Sequence, residues 1–447
     1  MIEKQKLKAF AERELDSFSD YLRIPSISAQ NSGINETVAW LQETFSALGA
    51  AVEVWHDQGG NPVVFAELKG GNSSKTVLFY NHYDVQPPEP LDEWKTPPFE
   101  PTLVAGKLVA RGVCDDKGEL MSRLTLIKYF KENGGLPVNL KFIIEGEEEL
   151  GSPHVDAYVH AHASQLAADV CIWEGGGRNE SEQFQITCGL KGIASFDLEV
   201  VTAASDLHSS LASYADNAAW RLVQALSSLK DQQGRIKVAG FYDDVMPLTE
   251  DTKKAIKDIK FDAKRVTQEF GLLRPFVTDD PAKALVNSAT LTINGLSSGY
   301  EGGDGTKTVV PRRAVAKLDC RLVPNQEPAK IAELIQQQLI KNGFADVKLH
   351  YNTGESAFRT DLNDPFVKLN VAVAKEVYGA SNYVVVPNMP GGGPAKQFVD
   401  ELAVPIVMIG IHYAGSGPHA PNENIRLSDY QDATVYLGRL LEAYQAE

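Results

Sequence analysis

The stretch FIIEGEEELGS at 142–152 limits the fold more than any other part of the chain. Leu140, Phe142, Ile143 and Ile144 make a short apolar run with little alternation, the pattern of a strand covered on both faces. Such a strand belongs to a layered α/β architecture in which helices cover a sheet. Open sheets of this kind hold ligands beyond the carboxyl ends of their strands, and here Glu147, Glu148 and Glu149 stand at that end. Ser152-Pro153 reads as a helix start, with Ser as N-cap and Pro at the first helical position. Solvated glutamates near a helix N-terminus account for an isolated acidic triplet. The alternative is a bound cation whose carboxylates divide holding it from moving protons, and the other strand ends decide between the two.

Helical spacing of apolar residues predicts helices over 5–24 and 34–49, and strands follow over 51–56, 62–68 and 76–80. A helix is expected from Gly118 to the glycine pair at 134–135, and strand–helix–strand alternation to about residue 187 implies a mostly parallel sheet. The pattern then changes. Strands at 190–202, 288–294, 309–323 and 346–352, with helices at 217–230 and 328–342, follow the β-α-β-β-α-β order of a ferredoxin-like unit. Residues 235–285 interrupt it as a polar, helix-rich insertion, and α/β character returns over 356–447, with a buried strand at 405–411. The expected organisation is a catalytic unit from residues 1–187 and 356–447 and an inserted α+β unit over 188–355.

Two domains suit 447 residues, and 43% hydrophobic with 23% charged content is that of a globular protein. A net charge of −16 argues against nucleic acid or an anionic membrane as partner. The charged N-terminus lacks the apolar core of a signal peptide, and no apolar run is long enough to span a bilayer. Cysteines 114, 171, 188 and 320 form no C-x-x-C pair, so neither a disulfide framework nor a thiolate zinc knuckle is indicated, and a cytoplasmic location is expected.

Four further segments offer metal-ligand chemistry at strand or loop ends. In FYNHYDVQPP, His82 and Asp84 are two apart and point to one side, with the carboxylate able to orient the imidazole. ARGVCDDKGEL presents Asp115 and Asp116 in a turn before a helix, CIWEGGG ends a strand at Glu174, and GSGPHAPNENI carries His419 in a Gly/Pro loop. Each alone reads as a cap or a solvated group. Together they supply imidazole and carboxylate donors without cysteine, a set suited to zinc and also to manganese or cobalt.

These five motifs, in this order and over essentially the whole chain, resemble those of the co-catalytic zinc peptidases, a family that includes carnosine-type dipeptidases, carboxypeptidase G, aminoacylase and succinyl-diaminopimelate desuccinylase. HYDVQP, RGVCDDKG and TVVPRRAVAKLDCRLVPN look closest to the dipeptidase branch with a long lid. The resemblance implies two divalent ions, zinc first, with His82, Asp115 and Glu174 on one, Asp115, Glu149 and His419 on the other, and Asp115 bridging. It makes Glu148 the general base, leaves Glu147 without a catalytic role, and keeps Asp84 behind His82. The inserted unit resembles the family's dimerisation lid, whose histidine in SDLHSS, His208 here, reaches the partner's active site in a homodimer to stabilise the tetrahedral oxyanion. Thr308 and Arg321 match positions that contact substrate, and Gly391, Gly392 and Gly393 match a loop that approaches the substrate carboxylate. Two departures stand out: Ser210 replaces a usual glycine after His208, and Glu174 replaces the aspartate common in dipeptidases, glutamate being more usual in deacylases.

Other patterns are set aside. GLSSG at 295–299 fits a nucleophile elbow, but no helix is expected after it. His160 and His162, two apart on a helix, point in different directions. His412 lacks the motif around His419, and Cys114 beside carboxylates is unsuited to a reactive thiolate. The expected activity is metal-dependent hydrolysis of dipeptides or short peptides with a free C-terminal carboxylate. N-acyl amino-acid deacylation is the alternative, and a non-catalytic metal-binding scaffold, which would need no base at Glu148, the third.

Overall fold

The computed structural model describes residues 2–71, 73–300, 302 and 305–447. The larger of its sheets has eight strands, in the spatial order Ala51–Trp55, Val63–Leu68, Asn139–Glu145, Thr76–His82, Val170–Trp173, Ile406–Met408, Phe184–Thr187 and Tyr383–Val386. Its centre is parallel, where Thr76–His82 lies between Asn139–Glu145 and Val170–Trp173, and Ile406–Met408 continues the same direction. The first two strands run antiparallel to their neighbours, and Ile406–Met408 meets Phe184–Thr187 antiparallel. The sheet is therefore mixed, with four parallel pairings against three antiparallel ones. Apolar runs report burial, and strand direction leaves no trace in them.

Alternate side chains of the central strands enter two cores. Val77, Phe79, Phe142 and Ile144 pack with the helices Lys117–Glu132 and Leu427–Ala446 on one face. Leu78, Tyr80 and Ile143 pack with Val155–Ala161 and Ala395–Leu402 on the other. This coverage on both faces explains the non-alternating run at 140–144, and it directs the strands' carboxyl ends to one rim.

Residues 192–355 carry a second sheet of four antiparallel strands, ordered Thr292–Ser298, Arg313–Leu322, Gly192–Val201 and Lys348–Glu355. This is the ferredoxin-like strand order. Helices Ala218–Leu229 and Pro328–Lys341 cover one face through Phe196, Leu198, Leu318, Leu222 and Ile335. The other face is open and carries Ile193, Asp197, Lys317 and Arg321. Glu250–Asp258, Ala263–Glu269 and Pro281–Asn287 are the helices of the insertion.

Two local expectations fail. The helix expected over 5–24 is two, Lys4–Arg13 and Leu15–Arg23, separated at Glu14, whose carboxylate takes Lys128 at 2.9 Å. Ser152 does not cap a helix: its φ is +49°, its hydroxyl donates to Glu145 at 2.9 Å, and the helix starts at Val155. The 148–150 segment is a short 3-10 turn that swings Glu148 and Glu149 across the rim.

Candidate metal centre and active site

Asp115 sits at the middle of the rim. One of its carboxylate oxygens lies 3.0 Å from His82 Nε2 and the other 3.0 Å from His419 Nε2. His419 Nε2 is also 3.2 Å from Glu149 Oε2. Two donor groups therefore share one carboxylate: His82, Asp115 and Glu174, and Asp115, Glu149 and His419, with the ligand atoms of each group within 4.8 Å of one another. His82 ends the Thr76–His82 strand, Glu174 follows Val170–Trp173, and His419 reaches in from a loop at positive φ.

Charge at the rim matches a cation. Burial, then neighbouring carboxylates, push Glu149 up to about 8 and Glu174 well above the usual carboxylate range. Glu148 is raised to about 7 by burial, with His82 opposing and Asp115, Asp84 and Glu355 adding to the rise. Asp115 is held low against its own burial by the bonds to His419 and His82. Carboxyls crowded this way resist ionising together unless a cation joins them. Imidazole plus carboxylate is also the donor set of zinc, manganese and cobalt sites, so the residues fit divalent metal. A third group, Asp116, Glu119 and Glu174, is all carboxylate. Two of its members already accept protein donors: Asp116 Oδ2 takes Asn81 Nδ2 at 2.6 Å and the His82 amide at 3.0 Å, and Glu119 takes the Gly175 amide at 2.9 Å.

Asp84 does more than orient a histidine. His82 Nδ1 lies 3.0 Å from its backbone carbonyl and 3.4 Å from Oδ1. The two carboxylate oxygens accept the backbone amides of Glu148 and Glu149 at 3.2 and 3.1 Å. One buried aspartate thus ties the His82 strand end to the Glu148 turn. Glu147 turns away to His154 Nδ1 at 2.6 Å, and Gln86 Nε2 donates to Glu149 at 2.8 Å. Arg123 is buried and joins two strand ends, donating to Tyr80 O at 2.7 Å and Trp173 O at 3.1 Å.

Glu423 escaped the sequence reading. It is 1% exposed and accepts from Arg111 Nη1 at 2.7 Å and from the amides of Gly112, Cys114 and Asp115 at 2.9, 2.9 and 3.2 Å. It follows His419 by four residues in HAPNEN, and an acid there was the available signal. His412, set aside earlier, lies beside the site with Nε2 2.7 Å from Cys114 O and is not in either donor group. Burial raises the Cys114 thiol well above its ordinary value.

The expected substrate residues fall in two places. Arg321, on the open face of the smaller sheet, approaches Gly392: a Cβ there would lie 3.8 Å from Arg321 Nη1 and 2.7 Å from Glu355 Oε2. His208 and Thr308 converge separately. His208 pairs with Val309 across a short ladder, and the Ser209 amide donates to Thr308 O at 3.1 Å. The His208 ring is exposed, with Nδ1 2.8 Å from Ser210 Oγ, so Ser210 in place of the usual glycine orients the imidazole.

The sequence pattern of Peptidase family M20/M25/M40 matches residues 78–443. The chain is 29% identical over 398 residues to the Beta-Ala-His dipeptidase of Rattus norvegicus, with 85% of this chain and 80% of that protein covered. It is 29% identical over 412 residues to the Cys-Gly metallodipeptidase DUG1 of Saccharomyces cerevisiae, covering 86% and 82%. Among solved structures, the M20 family metallo-carboxypeptidase Sso-CP2 of Sulfolobus solfataricus superposes with a TM-score of 0.89 at 39% identity, covering 97% of this chain and 99% of that one.

Proposed function

This chain belongs to peptidase family M20/M25/M40, and from that membership we propose that it is a dinuclear zinc dipeptidase acting on unblocked dipeptides or short peptides as a homodimer in the cytoplasm. The observation that carries the reading is Asp115, with one carboxylate oxygen on His82 and the other on His419. His82, Asp115 and Glu174 would hold one ion and Asp115, Glu149 and His419 the other. Ions bound there would lower the pKa of a water between them and polarise the scissile carbonyl.

The chain's own groups do the rest. Glu148, on a turn fixed by Asp84, takes a proton from the attacking water as its oxygen bonds the carbonyl carbon. It returns that proton to the nitrogen as the C–N bond breaks. Arg321 and the amides of Gly391–Gly393 receive the terminal carboxylate, a task suited to a guanidinium fork. His208 beside Thr308 serves the oxyanion of the partner subunit. A dimer is supported by exposed apolar side chains on the smaller unit, Trp220 and Val223 on the outer face of Ala218–Leu229 and Ile293 and Leu296 on an edge strand.

The test is hydrolysis of an unblocked dipeptide by metal-free protein, by protein reloaded with zinc, manganese or cobalt, and by Glu148→Gln. Turnover restored by metal and absent from the variant supports the reading, and metal-independent turnover sinks it. Glu174 favours one second reading, N-acyl amino-acid deacylation, because glutamate is more usual than aspartate at that position in the deacylases.

A further inference from the structure

Arg321, Ile193 and Glu355 form one row across the smaller sheet. Ile193 pairs with Arg321 on one side and with Glu355 on the other, and directly paired residues face the same way. Their face is the open one, since the alternate residues Ala194 and Cys320 enter the helix-covered core. The row runs cation, aliphatic side chain, anion, and neighbouring strands stand about 4.8 Å apart.

Both charged ends are unmatched. Among the described residues, the Arg321 guanidinium makes no hydrogen bond or ion pair, and the Glu355 carboxylate meets no cation at ion-pair distance. The Gly393 amide and Arg321 are near enough to counter in part the rise that burial causes. Glu355 is also near enough to Glu148 to add to the rise there. A half-buried carboxylate beside a glycine loop is costly to ionise unless something completes it.

We propose that Glu355 is the outer wall of a subsite for the side chain of the substrate's C-terminal residue, and that it selects a cationic one, lysine or arginine. The inference rests on Arg321 receiving the terminal carboxylate, as argued above. The residue that bears this carboxylate has its α-carbon one bond away, and an extended lysine carries its ammonium about 6 Å beyond that carbon. Its methylenes would lie over Ile193 and its ammonium would reach Glu355. The free amino end of a dipeptide lies across the scissile bond, away from the Arg321 and Gly392 side where Glu355 stands.

The experiment uses metal-loaded protein and the peptides Ala-Lys, Ala-norleucine, Ala-Glu and N-acetyl-Ala-Lys. Wild type should show a kcat/KM ratio of Ala-Lys to Ala-norleucine of roughly tenfold or more, the scale of one charge-assisted hydrogen bond. Glu355→Gln should bring that ratio to about one, and Glu355→Lys should turn the preference to Ala-Glu. A wild-type ratio near one overturns the subsite while leaving the peptidase reading intact. So does a Glu355→Gln variant that keeps the ratio and loses both activities together, which would mark a support of the glycine loop. A Glu355→Gln defect that disappears with the acetylated peptide would move Glu355 to the amino end. Wild type cleaving none of the peptides overturns the peptidase reading and the subsite with it.

Discussion

Glu423 Oε1 accepts the backbone amide of Asp115 at 3.2 Å, although the two residues are 308 positions apart. The same carboxylate holds Gly112, Cys114 and Arg111, so the loop that delivers His419 also fixes the loop that delivers Asp115. Substituting Glu423→Gln leaves Arg111 buried and unpaired, a change expected to cost about 3–5 kcal/mol. Denaturant unfolding and metal analysis check it. Replacing both partners, Arg111→Met with Glu423→Leu, should recover only the part of that loss due to the stranded charge while metal content stays low, because the Gly112, Cys114 and Asp115 amides remain without an acceptor. Wild-type stability and metal content in Glu423→Gln would show that the clamp is dispensable.

Base and ligand separate by metal content. Glu148→Ala should keep its metal and lose activity by roughly 10²-fold or more, the scale of a general acid–base. His82→Ala should lose metal. If Glu148→Ala emerges with neither ion, base and ligand have been exchanged in the assignment.

How far this site could be read beforehand follows from what kind of pattern each residue belongs to. His82, Asp115, Glu149, Glu174 and His419 each end an apolar run or sit in a Gly-rich turn, and local sequence carries that. The outward turn of Glu147 to His154 and the grip of Asp84 on the Glu148 and Glu149 amides depend on a 3-10 turn that the sequence read as a route into a helix. Glu423 has one local signal, its place four residues after His419, while its role depends on partners that lie far along the chain. The antiparallel edges of the large sheet escaped for a different reason: a strand buried on both faces has the same composition in either direction.

A trans role for His208 makes the active unit a dimer. Inactive His208→Ala mixed with inactive Glu148→Ala should regain partial activity, since one site of a mixed dimer would contain both residues. Sequential affinity capture of two differently tagged subunits establishes that mixed dimers form. Mixed dimers without recovery, or a fully active monomer, would count against the arrangement.

Lys191 is 4% exposed and donates to the carbonyls of Ala284 and Ser288 at 3.1 and 2.7 Å. Burial, then the nearby Arg321, lower it from 10.5 to about 8. An unfolded lysine keeps its proton up to the ordinary value, so between about 8 and 10.5 the unfolded chain binds more protons than the folded one. The sign is then fixed: the group's unfavourable contribution is fully present below pH 8 and is relieved as pH rises through this window. Relative to Lys191→Met, wild type should gain up to about 3 kcal/mol across it. Denaturant midpoints of both proteins at several pH values check this, and parallel curves would show that Lys191 does not titrate there.

The choice between dipeptidase and deacylase turns on the two ends of the substrate. A dipeptide and an N-acyl amino acid would both present a carboxylate to Arg321 under the proposed assignment, so that end cannot separate them. At the other end a dipeptidase must accept a free ammonium, and Glu174, one methylene longer than the aspartate usual in dipeptidases, leaves less room to serve an ion and an amine together. The long smaller unit, with its insertion of three helices, resembles dipeptidases and weighs more, because many residues build it and Glu174 is one. One dipeptide in three forms, free, N-acetylated and C-amidated, is therefore expected to give the highest kcat/KM when free. Amidation should cost more than the roughly 1–3 kcal/mol of one unmatched buried group, since it strands the Arg321 charge. Faster turnover of the acetylated form would make the protein a deacylase, and indifference to amidation would remove Arg321 from the substrate site.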